Sequence, residues 1–267
     1  MSARISPGNK ETSAAQAELD TIVLHIELTL ISIIQGVALY FLIERSYELL
    51  VGLRIVFWPY VLTGLLIILL FWSRSMVHTL TVIRWPLDLT HNLVYFACTM
   101  VEAIIFTQLA NPVHWYALNT VFGLMVWVLF TLDLRMIRRR IRDSSGPTGD
   151  KLYALVEREQ SLNIKLFMPA TVAFNLLALI AVRTWPGSLI NGGGHVIIAL
   201  AQMAAALGYQ AYVMRFFTRI IPLILNTRQE WREDTILECG DASPLLGGAT
   251  RRADQSADTS AHSKRRS

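Results

Sequence analysis

The chain is dominated by apolar runs of nearly bilayer length, and that feature leaves few folds open. A hydrocarbon core about 30 Å thick is crossed by roughly 20 helical residues rising about 1.5 Å each. Six segments meet or approach that length: approximately Ile22 to Ile43, Ile55 to Trp72, Leu87 to Leu109, Val113 to Leu132, Leu166 to Val182 and Val196 to Phe217. Backbone groups facing lipid must be hydrogen-bonded within the chain, because each orphan costs several kcal/mol there, so only helices or a closed barrel qualify. Barrel strands alternate over about ten residues, and the run VLTGLLIILLF from Val61 to Phe71 does not alternate. The expected fold is therefore all-α, a polytopic membrane bundle of six transmembrane helices.

Composition agrees: 53% of the residues are apolar and 16% charged, against roughly 25% charged in a soluble domain. The aromatic and β-branched content excludes a disordered chain, and two cysteines exclude a disulfide scaffold. Residues 1–20 read as a cytoplasmic leader and 21–219 as the membrane domain, with a cytoplasmic connection at 135–165. Residues 220–267 read as a cytoplasmic segment, largely disordered after 240. The first run has no small-residue cleavage signal at its far end and reads as a retained span. In the 135–165 connection, DSSGPTGD (Asp143 to Asp150) is a turn-rich break, and KLYALVEREQSLNIK after it reads as a short amphipathic helix leading into the fifth span.

Of the 24 Lys and Arg, only Arg45, Arg54 and Arg183 fall in the first, third and fifth connections. Positive charge stays on the cytoplasmic side, so both termini are expected there, in a bacterial-type inner membrane. Arg135, Arg138, Arg139, Arg140 and Arg142 follow the fourth span, and such a juxtamembrane cluster suits anionic headgroups at about 1 kcal/mol per charge. Nucleic acid is not an expected partner. Trp58, Trp72, Trp85, Trp115 and Trp185 sit near span ends, as interfacial rings do. Pro59, Pro86, Pro112, Pro169 and Pro186 fall mostly in first turns or outside spans, where no helical hydrogen bond is lost.

Ionisable groups within a membrane cost roughly 2.5–3.5 kcal/mol or more at a helix centre, which makes each a candidate site. His25, Glu27, His91 and Glu102 are the clearest. His25, Thr29, Ser32 and Gly36 form one stripe at helical spacing, and His91, Tyr95, Cys98 and Glu102 form a second. Both are expected to face protein or water. Counting rise from the span ends puts Gln35, Glu102, Asn119 and Gln202 at comparable depth, so these four are candidates for one polar layer. Such a layer is either a cation or proton site, with Glu102 held by amide donors or carried as the neutral acid, or hydrogen-bonded packing worth about 0.6 kcal/mol per bond. His78 and His91 fall at span ends, where headgroup water satisfies an imidazole, and His114 and His195 read as interfacial at the other end. No metal centre and no cofactor is therefore expected. Ala201, Ala204, Ala205 and Gly208 in the sixth span read as a packing face. GxSxG, HExxH, CxxC pairs and a phosphate loop are all absent, so catalysis is not expected.

Gln35-Gly36-Val37 in the first span, Trp72 followed by His78, Asp88 and Asn92 at the start of the third span, and the basic exit from the fourth give the layout a resemblance. It resembles the bacterial relatives of the endosomal and lysosomal transmembrane potassium channel family. Ile33-Ile34-Gln35 stands where that family has Phe-Ser-Asp, and the Trp-to-His spacing is longer. The resemblance implies a six-span bundle assembling around a pore lined by the first span, with Ile33, Ile34 or Leu39 as its apolar constriction. The leading functional expectation is a protein that passes a cation or proton, with the lipid bilayer, an inorganic cation and further copies or a larger complex as partners. The alternatives are a non-catalytic scaffold or accessory subunit, and a haem-carrying electron-transfer protein.

Overall fold

The computed structural model describes residues 8–81, 89–143 and 147–240. Trp85, Pro86, Asp88 and the tail beyond 240 lie outside the described residues. Among the described residues all regular structure is helical: α1 (Gly8–Val51), a 3-10 turn (Ile55–Phe57), α2 (Trp58–Thr81), α3 (Leu89–Phe106), α4 (Pro112–Asp143), α5 (Pro147–Leu162), α6 (Met168–Thr184) and α7 (His195–Gly240). Six stretches are long and apolar enough to cross a membrane: Ile22–Val51, Ile55–Thr81, Leu89–Phe106, Pro112–Arg139, Lys151–Thr184 and His195–Asn226. The chain is thus an all-α bundle of six candidate spans. Residues Met1–Ile221 form one compact unit and Pro222–Ser267 a second, whose described residues are helical.

Helix boundaries follow local chemistry. Asn111 caps α4, its Oδ1 accepting from the His114 N–H at 3.2 Å, and Pro112 fills the first helical position, where no N–H is needed. The segment read as a short amphipathic helix is α5, and it continues into α6 through a π-helical turn at Asn163–Phe167. Pro169, just past that turn, removes one donor from the helical ladder, which the wider turn accommodates. Between α1 and α2, Leu53 takes φ 48, a left-handed conformation that costs a branched side chain energy.

The core runs through α3 and α4, with α1 and α2 on one side and α6 on the other. Trp115, Tyr116, Phe106, Ile105 and Tyr60 are its largest fully buried side chains. Gly64 of α2 permits a close approach there: a Cβ at that position would lie 3.0 Å from both Leu42 Cδ1 and Phe106 Cε1.

Candidate functional site

Helical spacing brings Arg74 and His78, four residues apart, to one inward face of α2, and Glu27 and Gln35 to one inward face of α1. The same spacing places His91, Tyr95, Cys98 and Glu102 on the buried face of α3. Asp133 of α4 and Glu159, Gln160 and Asn163 of the fifth span complete a set of polar side chains that are all buried.

These groups form one continuous network. Glu27 Oε1 accepts from Asn92 Nδ2 at 2.8 Å, and Asn92 Oδ1 accepts from His91 Nδ1 at 3.3 Å. His91 Nε2 lies 2.8 Å from Asp133 Oδ1, while Asp133 Oδ2 accepts from Gln160 Nε2 at 3.3 Å. Gln160 Oε1 accepts from Arg74 Nη2 at 2.7 Å, and the other limb of that guanidinium donates to Glu159 Oε1. Asn163 Nδ2 also donates to Glu159 Oε1, at 2.8 Å, and Asn163 Oδ1 takes the Tyr209 hydroxyl at 2.9 Å. Each of the six candidate spans contributes a side chain. The guanidinium also lies 5.4 Å above the Phe130 ring, a cation–π contact.

At the network's centre His78 and His91 stack with ring centroids 4.6 Å apart, and His78 Nδ1 is 3.5 Å from Asp133 Oδ1. One ligand atom from each of His78, His91 and Asp133 falls within 4.8 Å of the others. The three border a cavity of ≈ 20 Å³ that Glu27, Asn92 and Tyr95 also line. Such a volume holds one water-sized body. His78 Nε2 is buried there without a hydrogen bond.

The four residues expected to share a layer fall into two groups. Gln35 Nε2 donates to Glu102 Oε2 at 3.2 Å, with Glu102 fully buried. Gln202 instead accepts from Trp115 Nε1 at 2.9 Å and donates to Asn175 Oδ1 at 2.9 Å, and Asn119 donates to the Trp115 carbonyl at 2.9 Å. Asn119, Asn175 and Gln202 line a mostly apolar cavity of ≈ 410 Å³ among α2, α4, α6 and α7, which Arg74 and Tyr209 also border. That size suits a drug-sized or lipid-like molecule.

Several expectations need correction. His25, Thr29, Ser32 and Gly36 lie on the exposed face of α1, and the inward stripe is Glu27, Ile31, Gln35 and Ala38. Thr29 and Ser32 satisfy their hydroxyls on the carbonyls of His25 and Leu28, both at 2.8 Å, so neither needs an inward partner. His78 and His91 are buried in the bundle instead of meeting headgroup water. His195 is buried too, its Nδ1 3.0 Å from the Tyr60 hydroxyl and its ring stacked on Phe57, whereas His114 is exposed. Trp115 is an internal donor and not an interfacial ring, and Ala201, Ala204, Ala205 and Gly208 are exposed. Arg135, Arg138, Arg139 and Arg142 are exposed, with Arg138 Nε on Glu157 Oε1 at 2.8 Å, and the Arg140 side chain lies outside the described residues.

Sequence reasoning did not pick out Arg74, Asp133, Glu159, Gln160 or Asn163. The available signal was Arg74 one turn before His78 on an otherwise apolar helix. The chain matches no family model, no curated protein and no solved structure.

Proposed function

We propose that this multi-pass membrane protein moves a proton or other cation across an inner membrane, with the six-span network as its working element. The carrying observation is the network's charge: among the described residues Glu27, Asp133 and Glu159 are three buried carboxylates, and Arg74 is the one guanidinium. With both imidazoles neutral, the network carries two negative charges in excess. A surplus of that kind is costly in low dielectric and calls for mobile positive charge. A network joining every span also links occupancy of its centre to helix arrangement, which transport requires. Glu102 and its single amide donor Gln35 add a further buried carboxyl between α1 and α3. The first-span pore lining belongs to the same reading. The exposed row of Ile33, Gly36 and Leu39 is the α1 surface available to another copy.

The test is flux in liposomes holding the purified protein, with a pH-sensitive or cation-sensitive dye inside. Flux above that of empty vesicles, falling at least tenfold in Asp133→Asn, is expected. Equal flux with and without protein would remove the transport reading.

A further inference from the structure

The geometry points to a divalent transition-metal ion, of which Zn²⁺ is the type, bound by His78, His91 and Asp133. This deepens the proposed function by naming the cation that the centre of the network takes.

Asn92 orients the site from outside. Its Nδ2 donates to the Glu27 carboxylate, so its Oδ1 faces His91 and can only accept. The proton of a neutral His91 ring is thereby fixed on Nδ1, and Nε2 presents a lone pair. That lone pair meets a carboxylate oxygen of Asp133 at 2.8 Å. Two acceptors at such a distance repel unless positive charge lies between or beside them. In the metal-free protein a proton shared in the His91–Asp133 pair supplies that charge. A metal ion takes the place of that proton, sitting at the apex above the three ligand atoms and not on the line joining two of them.

Ligands about 2.0–2.1 Å from a tetrahedral metal lie roughly 3.3 Å apart. The two nitrogen–oxygen separations here, 2.8 Å and 3.5 Å, bracket that value. Two imidazoles and one carboxylate are a recurrent zinc set that leaves the fourth position open. The ≈ 20 Å³ cavity supplies that position, with Glu27 on its wall. The ligands are already oriented from outside, His91 by Asn92 and Asp133 by Gln160, as metal ligands usually are. Arg74 and Glu159 neutralise one another, so the excess charge belongs to Glu27 and Asp133, and a divalent ion balances both.

The experiment uses full-length protein without a histidine tag, in detergent, stripped with a chelator and dialysed. Zinc titrated calorimetrically is expected to bind at one equivalent per chain, and Co²⁺ to give the visible absorption of a four-coordinate nitrogen–oxygen site. His78→Gln and Asp133→Asn should each weaken zinc binding at least tenfold, Asn92→Leu about 10–100-fold, and Glu102→Gln should leave it unchanged. Wild-type protein that retains no zinc and gives no Co²⁺ absorption overturns the assignment, and so does unchanged affinity in folded His78→Gln and Asp133→Asn. Should those variants not fold, the wild-type stoichiometry and Co²⁺ spectrum decide alone. Zinc binding without flux would keep the site and remove transport; flux of protons without any metal binding would do the reverse.

Discussion

His91 Nε2 and Asp133 Oδ1 lie 2.8 Å apart as a hydrogen-bonded pair, in a site where both side chains are buried. The relationship is informative because Asn92 has already fixed the other ring nitrogen as a donor. It joins α3 to α4, the two helices at the middle of the bundle.

The Arg74 guanidinium is the internal counter-charge of Glu159. Arg74→Met leaves that carboxylate buried without its counter-charge, with only the Asn163 amide still donating to it, at a cost of about 3–5 kcal/mol. The double variant Arg74→Met/Glu159→Leu should recover most of the loss, because no lone charge remains. Thermal unfolding in detergent measures both; a single variant as stable as wild type would show that the pair does not matter.

Gln35 is the one described hydrogen-bond donor to Glu102, and Glu102 Oε1 has no partner. Gln35→Leu should therefore destabilise by about 1–3 kcal/mol. Glu102→Gln should cost less, since a neutral amide replaces a buried acid. Denaturation midpoints for the two variants, compared in one detergent, test the order.

α7 is tied to the bundle by polar bonds: Gln202 to Trp115 and Asn175, Tyr209 to Asn163, and His195 to Tyr60. Replacing Gln202 by Leu and Tyr209 by Phe together should raise amide exchange in residues 196–221 well before α3 and α4 respond. Uniform exchange across all helices would contradict this role.

Gly64 and Gly36 should respond in opposite ways. A side chain at Gly64 collides with Leu42 and Phe106, so Gly64→Val is expected to cost about 1–3 kcal/mol. Gly36 has no atom within 4 Å of its Cβ position, so Gly36→Ala should be neutral or slightly stabilising in the monomer. Melting curves separate the two. A large loss at Gly36 would indicate that another copy covers that face.

The charge pattern sets a topology. Reporter fusions after Arg142 and after Gly240 should be cytoplasmic, and fusions after Asn111 and after Gly193 should lie on the opposite side. Arg142 and Gly240 on different sides would overturn the orientation.

The sequence alone determined the class of fold and the number of spans, because lipid solvation acts on each segment separately: a run of about 20 apolar residues must close its own backbone hydrogen bonds wherever its neighbours are. It also marked the α3 stripe of His91, Tyr95, Cys98 and Glu102, since these four fall on one face at helical spacing. On α1 two polar faces competed, His25 with Thr29 and Ser32 against Glu27 with Gln35, and only packing chose the second. Backbone carbonyls had already satisfied the hydroxyls of the first. Tertiary structure likewise brought Arg74 to Glu159 across 85 residues and set Asp133 beside two histidines. Those residues stand close to span ends, where one-dimensional reading assigns them to water, and their burial follows from how far neighbouring helices extend past them, which no single segment encodes.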